Sequence, residues 1–596
     1  MADGASDESF DDTNGTGGTN GAMSTNGAVS GNGAANRGVH RRDFLRLGGL
    51  TAAGIAGIGA LGTAATACAP PAGGGAGTPP ADPLDFLWPP DERRRIVMRP
   101  PRNPDMPPML EPAGSRTALV VGGGIAGLSA ALELAERGYR VSVRESSDVF
   151  GGRLATRVLD PGVGQAFRVE HGLHMWFDNY RTFADILHRL DTRRLFRPYE
   201  VVNFAFRHYE PEALQSVPKV FPLNLAGIVE RSPNLTWDDI FGSLGILPDV
   251  MGFHFDGLFD RLDHTTFFEW IQNTKVTPAF RDVVFKPAAH VTLNREHDLS
   301  AAEMVLYQHM YFTSQPYAFD RIIPTVDHGT AVIDPWVTRL RSLGASVTAN
   351  APAAGLRVEG DRVVGLVGEA ESFDWVVLSA DVPGAKAVLG GSTADGAGAA
   401  ALASLRDRVD HMAVAPPYRI LRVWFDRRPD PARPDVIETP EHEPVALICQ
   451  FHQLEEEPRE WAAATGGAAI EFHLYSLEGP GATVPDDEVW ALIAPTVFEV
   501  VPELAAAKVL GSTIGNYDNF SSFAAGLAPY RPYPDTPMRE GLTNLVLAGD
   551  WIAAPVPSAL MERAVLTGRL AANECLVADG VREVGYSHVS PLGPMA

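Results

Sequence analysis

The chain has 596 residues, 45% of them apolar, and a formal net charge of −24. Such a length and composition allow two domains, or one large composite unit, around a sizeable core. The acidity argues against nucleic acid as a partner, because a phosphate backbone needs a basic face, and it reads as solubility. Cysteine is confined to Cys68, Cys449 and Cys575, which gives no disulfide framework and no paired-cysteine metal or redox motif. The histidines form no H-E-x-x-H pattern. His442 and His452, within Glu441–His452, are expected in a solvated loop that runs into a strand, and no metal is expected.

Residues 1–38 are mostly Gly, Asn, Ser, Thr, Ala and Asp. They cannot bury enough apolar surface to offset chain entropy, so disorder is expected there. In "HRRDFLRLGGLTAAGIAGIGALGTAATACAP", Arg41 and Arg42 precede an uncharged run from Leu47 to Ala67. This resembles a twin-arginine export signal, with Ala65-Thr66-Ala67 as a small-residue cleavage site. The resemblance implies a periplasmic or cell-surface protein. A lipid anchor at Cys68 and a single membrane-spanning helix are the alternatives. Residues 68–114, rich in Pro and Gly, read as a linker, and the folded unit is expected to start near Ser115. The tail from Gly580 reads as irregular.

"TALVV" (Thr117 to Val121) is a short apolar run of the kind that forms a buried parallel strand. Gly122, Gly124 and Gly127 follow it as G-x-G-x-x-G, opening a helix through Ile125 and Ala126 that ends near Gly138. The first glycine allows the tight turn. The second lets a diphosphate approach the backbone. The third lets helix and strand pack closely. "YRVSVRE" is the next strand, ending at Glu145, which is placed to accept hydrogen bonds from ribose hydroxyls.

Three further segments follow in order. "ESSDVFGGRLAT" places Gly151, Gly152 and Arg153 shortly after the acid. "VEHGLHMWFDNY" holds Glu170, Gly172, His174 and Tyr180. "NLVLAGDWIAAPVPSALMERAVLTGRLAA" holds Gly549, Asp550, Met561 and Glu562. Together with the glycine motif they resemble the flavin amine oxidase and phytoene-desaturase superfamily. The pattern is most similar to the zeta-carotene desaturase and plant-type phytoene desaturase group. The resemblance implies an α/β fold: a Rossmann-like FAD-binding domain of the glutathione-reductase type, interleaved with a mixed-sheet and helical substrate domain. The FAD-binding parts are expected at 115–185, 325–400 and 510–580, the substrate domain at 186–324 and 401–509, and a tail at 581–596.

The resemblance also assigns roles. Gly151, Gly152 and Arg153 would lie along the FAD diphosphate, where arginine neutralises phosphate charge. The segment of Gly172 and His174 would pass the isoalloxazine, with His171 and His174 as packing residues. A strand near Ala353 would offer backbone groups to the adenine, and Glu359-Gly360-Asp361 suits a hairpin turn. Asp550 would accept from the ribityl chain, and the helix at Met561 would aim its N-terminal N–H groups at the flavin pyrimidine oxygen. Leu560 and Arg563 depart from the family's Ser and Gly. Arg563 is expected to face solvent; the alternative is a place near the flavin that favours its anionic reduced form. Attachment of FAD is expected to be non-covalent.

The implied activity is desaturation or isomerisation of a polyene, a carotenoid or another long apolar lipid by hydride transfer to flavin N5. Quinone or oxygen would reoxidise the cofactor. The segment Ile240 to Ile271, dense in Phe, Leu, Ile and Met, reads either as a face for such a substrate or a membrane, or as ordinary core. "FPLN" (Phe221 to Asn224) and "RVWFDR" (Arg422 to Arg427) are among the looser matches. A flavin amine oxidase is the alternative. It would need an aromatic cage, which falls close to Trp551 and Ile552, and a lysine, for which Lys275 and Lys286 are the candidates. No catalytic side chain is assigned.

Overall fold

The computed structural model describes residues 94–214, 227 and 229–596. The expected disordered segment, the twin-arginine signal, Cys68, the first part of the linker and Phe221–Asn224 lie outside the described residues.

A five-stranded sheet organises the cofactor half. Its order is Ser346–Thr348, Arg140–Arg144, Thr117–Val121, Trp375–Leu378 and Leu545–Leu547, every pair parallel. Leu119, Val120, Val376, Val377, Val546 and Leu547 are all fully buried. Layers on both faces therefore cover the sheet, as an all-parallel sheet requires. One layer is the helix Ile125–Glu136, crossed closely by the helix Leu560–Ala578. Gly568 makes that approach possible, because a Cβ there would overlap the Ala126 carbonyl. Ser129 Oγ donates to the Val565 carbonyl at 2.8 Å across the same crossing.

A seven-stranded mixed sheet forms the other half. Its order is Val509–Tyr517, Tyr418–Phe425, Ala468–Leu474, Val445–Cys449, Val436–Glu438, Val202–Phe204 and Glu212–Leu214. Every residue of Tyr418–Phe425 and of Ala468–Leu474 is buried, including charged Arg422 and Glu471. Two charges inside apolar central strands need each other, since an unpaired buried charge is strongly unfavourable.

Several expectations are corrected. The stretch before Ser115 is not only linker: Ile96–Arg99 pairs antiparallel with Tyr586–Val589, and Leu110 is buried. That pairing also gives the tail regular structure. Val509–Tyr517 is an edge strand of the mixed sheet, so the last cofactor-half segment begins after it. Ala353 lies outside any strand, between Ser346–Thr348 and Leu356–Glu359. His442 and His452 are buried rather than solvated. The hairpin turn is present, with Glu359 paired to Arg362 around Gly360 at φ +64°.

Candidate functional site

The glycine loop sits at the C-terminal end of the Thr117–Val121 strand. Gly122 has φ +110°, and a Cβ there would lie 2.8 Å from the Ser379 backbone. A Cβ on Gly127 would overlap the Gly122 carbonyl and the Ser379 hydroxyl, so only glycine allows this helix–strand spacing. Gly124 is different: the nearest atom to a Cβ would be Gly152 Cα at 3.9 Å. Open space therefore lies over the first turn of Ile125–Glu136, which has no side-chain cap. The unpaired N–H groups of that turn, with Ile125 and Ala126 in it, form an anion-binding end.

The Gly-Gly-Arg loop docks onto this turn. Gly151 N–H donates to the Gly123 carbonyl at 2.9 Å, and Gly124 and Gly151 form a parallel bridge. Glu145 closes the other side: its Oε2 accepts from Gly123 N–H and its Oε1 from Ser147 N–H, each at 2.7 Å. Ala351 N–H donates to the Glu145 carbonyl at 2.8 Å, which brings the chain before Ala353 alongside. Arg153 extends past the loop to Asp550, with Nη2–Oδ1 at 2.6 Å. Its guanidinium lies over Phe520, 4.9 Å from the ring centre. Asp550 follows Gly549, whose N–H donates to Thr567 Oγ1 at 3.0 Å, tying the turn to the Leu560–Ala578 helix. The open space over Gly124, the uncapped helix start and the half-buried Arg153 fit the diphosphate of FAD.

Leu560 opens the final helix with φ +49°, a strained left-handed conformation for a side chain of this size. Met561 is partly buried against the main core. Glu562 is buried and caps a different helix: it accepts from Thr182 N–H at 2.7 Å and Phe183 N–H at 3.1 Å. Burial pushes its carboxyl up to about 7 despite these donors. Arg563 does not face solvent. It is buried, with Nη2 2.9 Å from Glu303 Oε2 and Nε donating to the Ser558 carbonyl at 3.0 Å. Arg531 pairs with the same carboxylate. Burial opposes the charge on Glu303, but Arg563 and Arg531 outweigh it and hold the carboxyl at about 2.

The expected isoalloxazine segment is packed by aromatic and titratable groups. Gly172 leaves no room for a Cβ, which would fall 2.9 Å from the His473 ring. His174 Nδ1 bonds the Gly172 carbonyl at 2.9 Å, and burial pushes its imidazole down to about 4. His171 packs as expected, stacked on Tyr517 at 3.5 Å between ring centres, with Nε2 2.6 Å from Tyr418 Oη. Beneath them lies a group that sequence reasoning missed as a unit. Arg422 meets Glu471 at 2.8 Å and Glu170 at 3.5 Å, and His473 meets Glu471 at 2.8 Å. The available signal was the charge carried inside two apolar runs, by Arg419 and Arg422 in "YRILRVWF" and by Glu471 in "AAIEFHL".

The residues considered for an amine cage have other partners or face solvent. Trp551 is buried, and its indole N–H donates to the Ala380 carbonyl at 3.0 Å. Lys286 is paired with Glu443 at 3.0 Å, and Lys275 is exposed. Cys449 and Cys575 are buried free thiols.

Residues 125–576 match the family of flavin containing amine oxidoreductases. The carotenoid phi-ring synthase of Chlorobaculum tepidum is 27% identical, over 78% of this chain and 89% of the relative. The 15-cis-phytoene desaturase of an Oncidium hybrid cultivar is 24% identical over 43% of this chain and 44% of its own length. Among solved structures, putrescine oxidase superposes with a TM-score of 0.56 at 15% identity, over 78% of this chain and 99% of that one. At that identity the likeness concerns the fold alone.

Proposed function

The chain belongs to the family of flavin-containing amine oxidoreductases, and we propose that it oxidises a carotenoid by FAD-dependent desaturation, with phi-ring formation as the specific form of the reaction. One observation carries this reading: similarity to a carotenoid-modifying relative extends along most of both chains.

When bound, FAD supplies a two-electron acceptor, at N5, for a hydride from an allylic carbon. The protein's part is holding and surroundings. The glycine loop and Arg153 hold the diphosphate, and Glu145 takes the ribose hydroxyls. FAD is held without a covalent bond, in keeping with two buried thiols whose acidity burial suppresses. Rings from Phe177, Tyr180 and Tyr311 pack together beside the isoalloxazine segment, with Phe177 and Tyr311 centred 4.7 Å apart. Such a wall keeps water from an apolar polyene. Conjugation spreads the positive charge that develops on the substrate, so a weak base suffices for the proton that follows.

The substrate resides in membranes, and a hydrophobic patch supports peripheral contact with one. Trp237, Phe241 and Leu244 are 40%, 52% and 44% exposed on and beside the short helix Trp237–Gly242. Among the described residues no helix is long and apolar enough to cross a membrane. Export by the twin-arginine route, which carries proteins folded around their cofactor, would bring the enzyme to membrane carotenoid and to quinone or oxygen as final acceptor. The experiment that tests the activity is anaerobic bleaching of the flavin by carotenoids set beside amines.

A further inference from the structure

Desaturation releases a proton as well as a hydride, and it does so inside an apolar chamber. The hydride leaves with the electron pair of one C–H bond and reduces the flavin. The neighbouring carbon then gives up a proton, and the electron pair of that second C–H bond becomes the new π bond. This proton must reach solvent.

A run of groups, half-buried at His174 and buried beyond it, leads from the expected isoalloxazine segment to a surface pocket. His174 and His328 meet edge to face, their ring centres 5.2 Å apart. His328 is fully buried, and among the described residues neither of its ring nitrogens has a hydrogen-bond partner. Its Nδ1 nonetheless lies 3.2 Å from Glu170 Oε1, out of line for a hydrogen bond, while its backbone N–H donates to that oxygen at 2.8 Å. Glu170 and Glu455 meet at the Arg422 guanidinium, Glu170 Oε2 at 3.5 Å and Glu455 Oε2 at 4.0 Å. Glu455 lines a surface pocket of about 280 Å³ together with Arg168, Asp327, Glu456, Glu457 and Glu460.

Charge balance fixes the state of this run. Glu170, Glu455 and Glu471 converge on one guanidinium, Arg422, all four buried. Of the three acids His473 meets Glu471, at 2.8 Å, its other ring nitrogen bonding Tyr475 Oη at 2.7 Å, and Arg168 is held by Asp327 at 2.9 Å and Asp334 at 2.8 Å. Three carboxylates against one buried cation would leave a net charge that low-dielectric surroundings do not tolerate, so one carboxyl keeps its proton. Burial and the mutual repulsion of the two acids raise Glu170, and burial pushes Glu455 up to about 7. Among the described residues no such cluster has the grouping of a metal site.

We propose that Glu170 and Glu455 share one proton and form the exit for the proton of the reaction, taken over from His174 and His328 and passed to the acidic surface pocket. The exit rests on the functional reading above; the shared proton does not. Neutral His174 and His328 take the proton transiently. The acid pair accepts it as its resident proton leaves through Glu455, and the acidic mouth of the pocket draws the proton on to bulk water.

Two measurements on the full chain with FAD bound test this. Infrared spectroscopy of the resting protein at neutral pH should show a protonated carboxyl band that Glu455→Gln and Glu170→Gln each remove. Anaerobic single turnover in weak buffer with a pH-indicator dye should show the proton reaching solvent together with flavin bleaching. In Glu455→Gln, proton appearance should lag bleaching at least tenfold, and Glu455→Asp should restore it. Absence of the band, or a proton that keeps pace with bleaching in Glu455→Gln, would overturn the exit. If the band is present but no carotenoid bleaches the flavin, the functional reading falls and the exit with it, while the shared proton stands. Should Glu170→Gln fail to fold, Glu455→Gln and Glu455→Asp, at the edge of the cluster, decide alone.

Discussion

Arg153 and Asp550, brought together from opposite ends of the cofactor half, form a 2.6 Å ion pair in which the carboxylate is buried. The pair joins the loop that follows Glu145 to the turn that precedes the final helix. One guanidinium thus serves two neighbours, the aspartate and the diphosphate expected beside the glycine loop. Replacing Arg153 with Ala leaves Asp550 without its cation and the diphosphate without its neutralising charge. FAD should bind at least tenfold more weakly, about 1.4 kcal/mol, as read from the release of flavin fluorescence on dilution. Unchanged FAD affinity would remove Arg153 from the cofactor site.

Arg563 stands where the family's pattern has Gly, and it is locked to Glu303. Arg563→Met leaves the buried carboxylate with Arg531 alone and should destabilise the fold by about 3 kcal/mol in denaturant unfolding. The acid limb should move as well. Glu303 is depressed in the folded chain, so its contribution is present above its usual 4.5 and is lost as pH falls toward about 2. Weakening the pair should shift acid unfolding to higher pH.

Glu562 behaves in the opposite sense. Its folded value of about 7 lies above the usual 4.5, so the folded chain binds the extra proton between them. That contribution is complete below 4.5 and disappears as pH rises through 7. Glu562→Gln should therefore flatten the decline in stability between about pH 5 and pH 7, by up to roughly 1.4 kcal/mol per pH unit. Parallel curves for the two proteins would show that Glu562 is ionised throughout.

These residues mark what was legible in the chain and what was not. Gly122, Gly127 and Glu145 could be read directly, because a tight turn and a close helix crossing impose local spacing on the sequence. Gly151 to Arg153 and the Leu560 helix were legible for the same reason. Arg563 was misread because its partner Glu303 lies 260 positions away, and nothing in the neighbouring sequence records such a contact. The strand pairing of Ile96–Arg99 with Tyr586–Val589 was missed similarly, since each strand is short and its partner is at the other end of the folded unit. Arg422 and Glu471 left a trace, a charge within an apolar strand, but the third acid, Glu455, sits on a helix cap and leaves none.

For the export signal, the Arg41→Lys, Arg42→Lys double substitution should retain the folded, flavin-loaded protein in the cytoplasm. Cell fractionation with flavin absorbance as the readout checks it. Export at the unaltered level would dispose of the signal.

The central claim is that FAD here oxidises a carotenoid. The most direct test is anaerobic bleaching of the flavin absorbance in detergent by linear and ring-bearing carotenes, beside a panel of primary and secondary amines. The account predicts bleaching by a carotene and none by any amine. Bleaching by an amine alone would contradict it and turn attention back to the surroundings of Trp551.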